Sequence, residues 1–303
     1  SVIIPTHNRS QLLVRAVNSV LSQTYSNLEC IVVDDASTDD TQKVIQQFTD
    51  PRIIYLRHEV NKHASGSRNT GIEKAKGDLI AFLDDDDEWL PEKLEKQVHL
   101  LENLPAKYGM VYCWMDFYRN GEIFAKRHPT YRGFIFDQVL DNQRIGNSST
   151  LLVRKEVIET IGGFDESLPR GNDGDFIRRV CLNYQVEVVE EVLLKYYADS
   201  PNRITSKWDK QGIEAAITGH QVKLSKFKEE LLKYPNQEAQ ILATIGHLYS
   251  KKNNWLMSLS YWYRAFLKDP QSSVIKSYGQ QSFLIFIRYL KFSLKKVINP
   301  KQQ

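Results

Sequence analysis

The chain has 303 residues, 42% of them hydrophobic and 25% charged, which suits a globular fold with one large domain and a smaller one. A formal net charge of +3 is close to neutral and gives no global case for nucleic-acid binding. Cys30, Cys113 and Cys181 lie far apart without a CxxC pair, which argues against a disulfide framework or zinc cage and for a reducing compartment. No apolar run reaches the roughly 18 residues of a membrane span. The opening "SVIIP" lacks an initiator methionine and a secretory leader and starts inside an expected strand, so trimming is expected there. The expected localisation is cytoplasmic, with peripheral contact at the inner face of the membrane as an extension of it.

In chain order, "SVIIP" reads as a strand. "RSQLLVRAVNSVLSQ" reads as a helix with Leu12, Leu13, Ala16, Val17, Val20 and Leu21 on one face. "ECIVVDD" is a second strand, and "STDDTQKVIQQF" opens with helix-capping residues and continues as a helix. "RIIYLRH" is a third strand, "SGSRNTGIEKAK" a third helix and "DLIAFLDDDD" a fourth strand. This alternation predicts an α/β fold, a Rossmann-like, mostly parallel sheet with helices on both faces. Further on, "YGMVYCWMDFY", "STLLVRKEVI" and "QVEVVEEVLLKYY" read as strands, "GGFDESL" as a loop and "DGDFIRRVCLNY" as a helix.

The expected organisation is one domain over residues 1–204 and a helical domain over 205–303. In the second, Leu242, Ile245, Gly246, Tyr249, Ser258, Trp262, Ala265 and Pro270 fall at the spacing of one tetratricopeptide-like helical hairpin. The last stretch, from Phe283 to Leu294, is strongly apolar and interspersed with Arg288 and Lys291. Three readings stand for it: a helix packed on the preceding hairpin, a segment lying in an anionic membrane surface, or a protein-partner surface.

Open parallel sheets bind ligands beyond the carboxyl ends of their strands. Polar clusters stand at those positions: "THNR" (6–9), "DDAS" (34–37), "HASGSRN" (63–69) and "DDDD" (84–87). Four adjacent carboxylates repel one another, and a hard cation such as Mg2+ or Mn2+, with phosphate oxygens completing its shell, would hold them together. The alternative is a solvated acidic turn ahead of a helix starting near Trp89 and Pro91.

Taken together, "SVIIPTHNR", "ECIVVDDASTDDT", "SRNTGIEKAKGDLIAFLDDDDEW" and "GGFDESLPRGNDGDF" resemble the successive blocks of family-2 glycosyltransferases with the GT-A fold, over about residues 1–200. The resemblance implies metal-assisted, inverting transfer of a sugar from a nucleotide-diphosphate sugar to an acceptor hydroxyl. By position it implies nucleotide contacts for Thr6 and His7, and a base contact for Asp35 that favours UDP. His63 and Arg68 would face the nucleotide and its phosphates. Asp86 would ligate Mn2+ or Mg2+, with Asp84 and Asp85 at the ribose or a metal-bound water, Asp84 also being a metal ligand in the alternative register. Asp173 matches the catalytic base, whereas Asp175 is the better candidate for a helix cap.

Two positions depart from the family pattern. Asn172 stands where relatives carry glutamate, and "YYADSPNRITS" offers Asp199, Asn202 and Arg203 in place of a histidine. The expected partners are a nucleotide-sugar donor and a glycan, lipid-linked or protein acceptor, with no nucleic acid. Competing readings are a nucleotidyltransferase, against which "IIPTHNRSQ" lacks a glycine-rich loop, and a non-catalytic nucleotide-sugar-binding module that recruits a partner. His99, His128, His220 and His247 share no metal-ligand spacing, Tyr112, Trp114 and Tyr118 read as core more than sugar platform, and "NSST" (147–150) would border the acceptor.

Overall fold

In the computed structural model, which describes residues 1–142, 144–199 and 209–272, three strands open the fold: β1 (Val2–Thr6), β2 (Cys30–Asp34) and β3 (Ile53–Arg57). They form a parallel run in the order β3-β2-β1, extended by β4 (Leu79–Phe82) beside β1, and every residue of β1 and β2 is buried. Continuous apolar strands follow from that burial on both faces. The later strands are β5 (Asp87–Trp89), β6 (Tyr108–Arg119), β7 (Glu122–Arg127), β8 (Leu152–Arg154) and β9 (Gln185–Tyr197). Sheet order is β3-β2-β1-β4-β8-β6-β9-β5, with β7 beside β6. β6 and β9 pair in parallel, while β8 runs antiparallel to both β4 and β6, and β5 runs antiparallel to β9. The chain is α/β, with helices on both faces of the sheet.

On one face, Val2, Ile4, Val32 and Leu83 join Leu13, Ala16, Val17 and Val20 of α1 (Ser10–Leu21) and Leu94, Val98 and Leu101 of α4 (Lys93–Glu102). On the other, α3 (His63–Lys74) crosses β1 at Gly71, where a Cβ would overlap the Ile3 side chain. Phe82 there meets Phe164 and Phe176 edge-on, the latter on α7 (Asn172–Asn183).

Several elements are shorter than their sequence patterns. Helix α2 spans only Thr41–Ile45. The fourth strand stops at Phe82, and a turn closed by Asp87 N donating to Asp84 O carries the acidic run. An extended "DDDD" would push carboxylates into both covered layers, whereas the turn gathers them at the sheet edge. Trp89 and Pro91 do not start a helix, because Trp89 ends β5 and is buried, and α4 begins at Lys93. "STLLVRKEVI" is divided into a 3-10 turn (Ser148–Thr150), the short β8 and α6 (Lys155–Ile161). A short α5 (Phe136–Val139) precedes that turn.

The chain divides into two compact units, Ser1–Ser167 with Asn172–Asn202, and Leu168–Gly171 with Arg203–Gln303. The second contains α8 (Lys210–Lys226), α9 (Lys228–Leu231), α10 (Pro235–Lys251) and α11 (Trp255–Lys268). Asp209 accepts from Gly212 N to cap α8, and Asn254 caps α11 through Met257 N. α10 and α11 cross at Gly246, where a Cβ would lie 2.8 Å from Trp262 Nε1, and Tyr249 stacks on Tyr261 at 5.6 Å. The expectations for Asn202, Arg203 and residues 283–303 lie outside the described residues. Among the described residues, no helix is long and apolar enough to cross a membrane.

Two outcomes test this packing. Gly71→Ala is expected to destabilise by about 1–3 kcal/mol in urea unfolding, the usual cost of overfilling a packed interior. Lys93 is fully buried, its Nζ 3.9 Å from the Trp89 ring centre and 2.6 Å from Gln97 Oε1. Burial lowers its pKa from 10.5 to about 8, against a small opposing influence of the Cys113 thiol. The unfolded chain therefore holds the Lys93 proton where the folded chain has released it, and stability rises with pH between those two values. The stability of Lys93→Met relative to wild type is expected to fall as pH rises from 7 to 10; a constant difference across that range would contradict the shift.

Candidate active site

Thr6 ends β1, and its hydroxyl donates to Asp85 Oδ2 at 2.8 Å. Arg9 Nη1 donates to Asp85 Oδ1 at 2.8 Å and lies 3.4 Å from Asp86 Oδ2. Asp85 is thus directed at the first loop, and burial pushes its carboxyl up to about 6, with Arg9 opposing and Asp86 adding to the rise. His7 is exposed and donates through Nδ1 to the Asp35 carbonyl at 2.7 Å. Arg15 of α1 donates to the Asp86 carbonyl at 2.6 Å and covers the Tyr197 ring.

Asp35, just past β2, is buried, and its Oδ1 accepts from Lys62 N at 2.7 Å and His58 Nδ1 at 2.8 Å. Nε2 of the same imidazole lies 3.0 Å from the Thr70 hydroxyl, so the ring is held at both nitrogens, with Nδ1 donating to the Asp35 carboxylate. Both protein contacts fall on one carboxylate oxygen, which leaves Oδ2 for a ligand. His63 begins α3 with a positive φ of 61° and is exposed, five residues ahead of Arg68 on the same helix.

Arg68 is 4% exposed. Its Nη2 donates to Asp84 Oδ1 at 2.6 Å and to Ser148 Oγ at 3.1 Å, while Nη1 lies 3.5 Å from Asp173 Oδ1. Phe164 lies 5.0 Å beneath the guanidinium. The carboxyl of Asp173 is pushed above the usual carboxylate range by burial; Arg68 opposes this and Asp84 adds to it. Asp173 sits in the first turn of α7, where Asn172 Oδ1 accepts from its backbone N–H and Asn172 Nδ2 donates to Ser65 Oγ. Asp175 is also inside that turn, not a cap, and pairs with Arg179 at 2.8 Å. Arg179 in turn donates to the carbonyls of Ile161, Gly162 and Gly163 that end α6.

Asp84, Asp86 and Asp87 each present a carboxylate oxygen within 4.8 Å of the others. Three hard oxygen donors that close suit a hard divalent cation, while the neighbouring Arg9 and Arg68 suit an anion beside it. Asp87 enters this group beside the expected Asp84 and Asp86, held by Ser149 Oγ at 2.8 Å and Asn147 Nδ2 at 3.2 Å. The "NSST" turn therefore braces the acidic cluster. A cavity of about 440 Å3 lined by Ser1, Glu29, Lys76, Asp78 and Glu102 opens at the opposite, amino end of the strands and contains none of these groups.

His58 has no expected role from the sequence, although it directly follows β3 and obeys the same post-strand rule as Asp35. Arg9, Asp87 and Ser149 lie in the "THNR", "DDDD" and "NSST" stretches, whose patterns carry no signal for the individual contacts these three side chains make. Asp199 is exposed and accepts from Asn120 N at 2.9 Å, which ties it to the β6–β7 turn. Tyr112 is core and donates to the Tyr131 carbonyl at 2.7 Å. Trp114 stacks on His128 at 4.7 Å.

The sheet order, the loops beyond its carboxyl edge and the acidic turn are those of a GT-A-class domain. Residues 1–162 match Glycosyl transferase family 2, and the chain belongs to that family of glycosyltransferases. An uncharacterized glycosyltransferase of Rickettsia typhi is 31% identical over 271 residues, 85% of this chain and 81% of the relative. The Escherichia coli UDP-Glc:alpha-D-GlcNAc-diphosphoundecaprenol beta-1,3-glucosyltransferase WfaP is 42% identical over 165 residues, 52% of this chain and 66% of the relative. Residues 1–349 of Staphylococcus aureus TarS in complex with UDP-GlcNAc have the same fold, with a TM-score of 0.63 at 18% identity over 92% of this chain and 91% of that TarS fragment. So does the mannosyltransferase PcManGT of Pyrobaculum calidifontis in complex with GDP-Man and Mn2+, with a TM-score of 0.61 at 17% identity over 99% and 87% of the two chains.

Replacing Arg68 by Met leaves the partly buried carboxylates of Asp84 and Asp173 without their shared cation. The expected loss is about 1–3 kcal/mol of unfolding free energy, the cost of leaving enclosed polar groups unpaired, and unchanged urea midpoints would show that the pairing contributes nothing to the fold.

Proposed function

We propose that this chain transfers a sugar with inversion from a UDP-sugar to an acceptor hydroxyl, assisted by Mn2+ or Mg2+. The observation that carries the reading is Arg68, one buried guanidinium that reaches Asp84 on the acidic turn and Asp173 on α7. Asp84, Asp86 and Asp87 would hold the cation, which when bound offsets negative charge developing on the departing diphosphate. Thr6 and His7, with Asp85 braced behind them, border the nucleotide at the first loop, and His63 faces it from the start of α3.

Asp35 reads the base. Its Oδ1 is occupied by His58 and the Lys62 amide, so Oδ2 is the oxygen offered to an N–H such as N3–H of uracil. Asp173 takes the acceptor's hydroxyl proton as that oxygen attacks the anomeric carbon, and the nucleoside diphosphate leaves from the opposite side. Its raised pKa makes it a stronger base than an exposed carboxylate, while Arg68 keeps the ionised form accessible. Inversion needs this one base and no covalent intermediate. Support for UDP comes from WfaP, named for UDP-Glc, and from TarS, seen with UDP-GlcNAc; support for the cation comes from PcManGT with Mn2+. The acceptor is a glycan, a lipid-linked sugar such as the one WfaP is named for, or a protein side chain.

Asp173→Asn is expected to lower turnover about 100- to 10,000-fold while UDP affinity stays near wild type. Retention of a tenth of wild-type turnover would remove Asp173 from the role of base. Asp35→Ala is expected to weaken uridine as well as UDP, by about 1.5–3 kcal/mol for a charge-assisted hydrogen bond. Tighter binding of GDP than of UDP by wild type in calorimetry would overturn the uracil assignment.

A further inference from the structure

The 3-10 turn at Ser148–Thr150 is wholly buried and is gripped from behind by groups the reaction does not use. Trp89 Nε1 donates to the Ser149 carbonyl at 2.8 Å, and Gln97 Nε2 donates to the Thr150 carbonyl at 2.8 Å. Gln97 is itself oriented by Lys93, whose Nζ donates to Oε1 at 2.6 Å and lies against the Trp89 ring. Trp89, Lys93 and Gln97 are each buried to 2% exposure or less, so this clamp has no solvent to compete with it. In front, Ser149 Oγ donates to Asp87 Oδ2 at 2.8 Å and accepts from the Asp84 backbone N–H at 3.0 Å. One hydroxyl thus spans the acidic turn, fixing the backbone at its start and a carboxylate at its end.

We propose that Ser149 is a positioning residue for the carboxylate cluster, presetting Asp84 and Asp87 for a divalent cation, with Trp89 and Gln97 holding the turn that carries it. The proposal rests on the reading of Asp84, Asp86 and Asp87 as the cation site. A hydroxyl with one donor and two acceptor positions can serve an N–H and a carboxylate at once, which alanine cannot. Without it, the Asp87 carboxylate loses a charge-assisted hydrogen bond and gains rotational freedom that the cation would have to remove on binding.

Mn2+ titration by calorimetry, without nucleotide or acceptor, tests this on the full chain. Wild type is expected to bind Mn2+, and Ser149→Ala to bind it about 10- to 100-fold more weakly, the range typical when a group behind a metal ligand is removed. Ser149→Thr, which keeps the hydroxyl, is expected to recover most of the loss. Gln97→Met, remote from the carboxylates and nearly isosteric, is expected to weaken Mn2+ in the same direction with its melting transition still cooperative. If wild type binds Mn2+ and both Ser149→Ala and Gln97→Met bind it equally well, the positioning role is overturned and the cation site stands. If wild type itself binds no Mn2+, the cation reading fails and the proposal fails with it.

Discussion

The site depends on a single buried cation. Burying a guanidinium is costly unless it is paired, and Arg68 finds partners on two elements far apart in sequence, Asp84 beyond β4 and Asp173 at the start of α7. Burial raises the pKa of Asp173, and Arg68 opposes that rise. The same side chain joins two elements: it pairs two partly buried acids and fixes the distance between them. Phe164 supports the guanidinium from below and stacks on Phe176 of α7 at 4.5 Å, so the position of Arg68 is set by the apolar layer under it.

The turn at 84–87 resolves the repulsion among four adjacent aspartates by dividing them. Asp85 is directed at Thr6 and Arg9, while Asp84, Asp86 and Asp87 converge. This division needs a turn, because an extended strand would alternate them between faces. Asp35 uses the same logic on a smaller scale, with one oxygen held by His58 and a backbone amide and the other available. Side chains restrained on one side lose little entropy when a ligand meets the other, which is the physical meaning of a preorganised site.

Asn172 illustrates how a departure from the family pattern is absorbed. Its side chain accepts from the Asp173 amide and donates to Ser65, linking the start of α7 to α3. A glutamate there could accept from the amide but would present no donor to Ser65 without protonation. The start of α7, with Asp173 on it, is thereby tied to α3, the helix that carries Arg68, and the Asn69 side chain fixes the intervening loop by bonding both Phe164 N and Phe164 O.

By itself the sequence determined the alternation of apolar strands and amphipathic helices, the clustering of polar groups after β1, β2 and β4, and the identity of Thr6, Asp35, Arg68, the acidic run and Asp173 as candidates. These are local properties: periodicity reports burial, and a polar cluster after a strand reports a sheet edge. Only the tertiary structure decided which aspartate faces which loop, that "STLLVRKEVI" breaks into a turn, a short strand and a helix, and that Ser149 joins Asp84 to Asp87. Each of these depends on a partner distant in the chain, Thr6 and Arg9 for Asp85, Trp89 and Gln97 for the Ser148–Thr150 turn. A hydrogen bond between residues some sixty positions apart leaves no periodicity in either segment, so it exists only once the sheet has brought the two together.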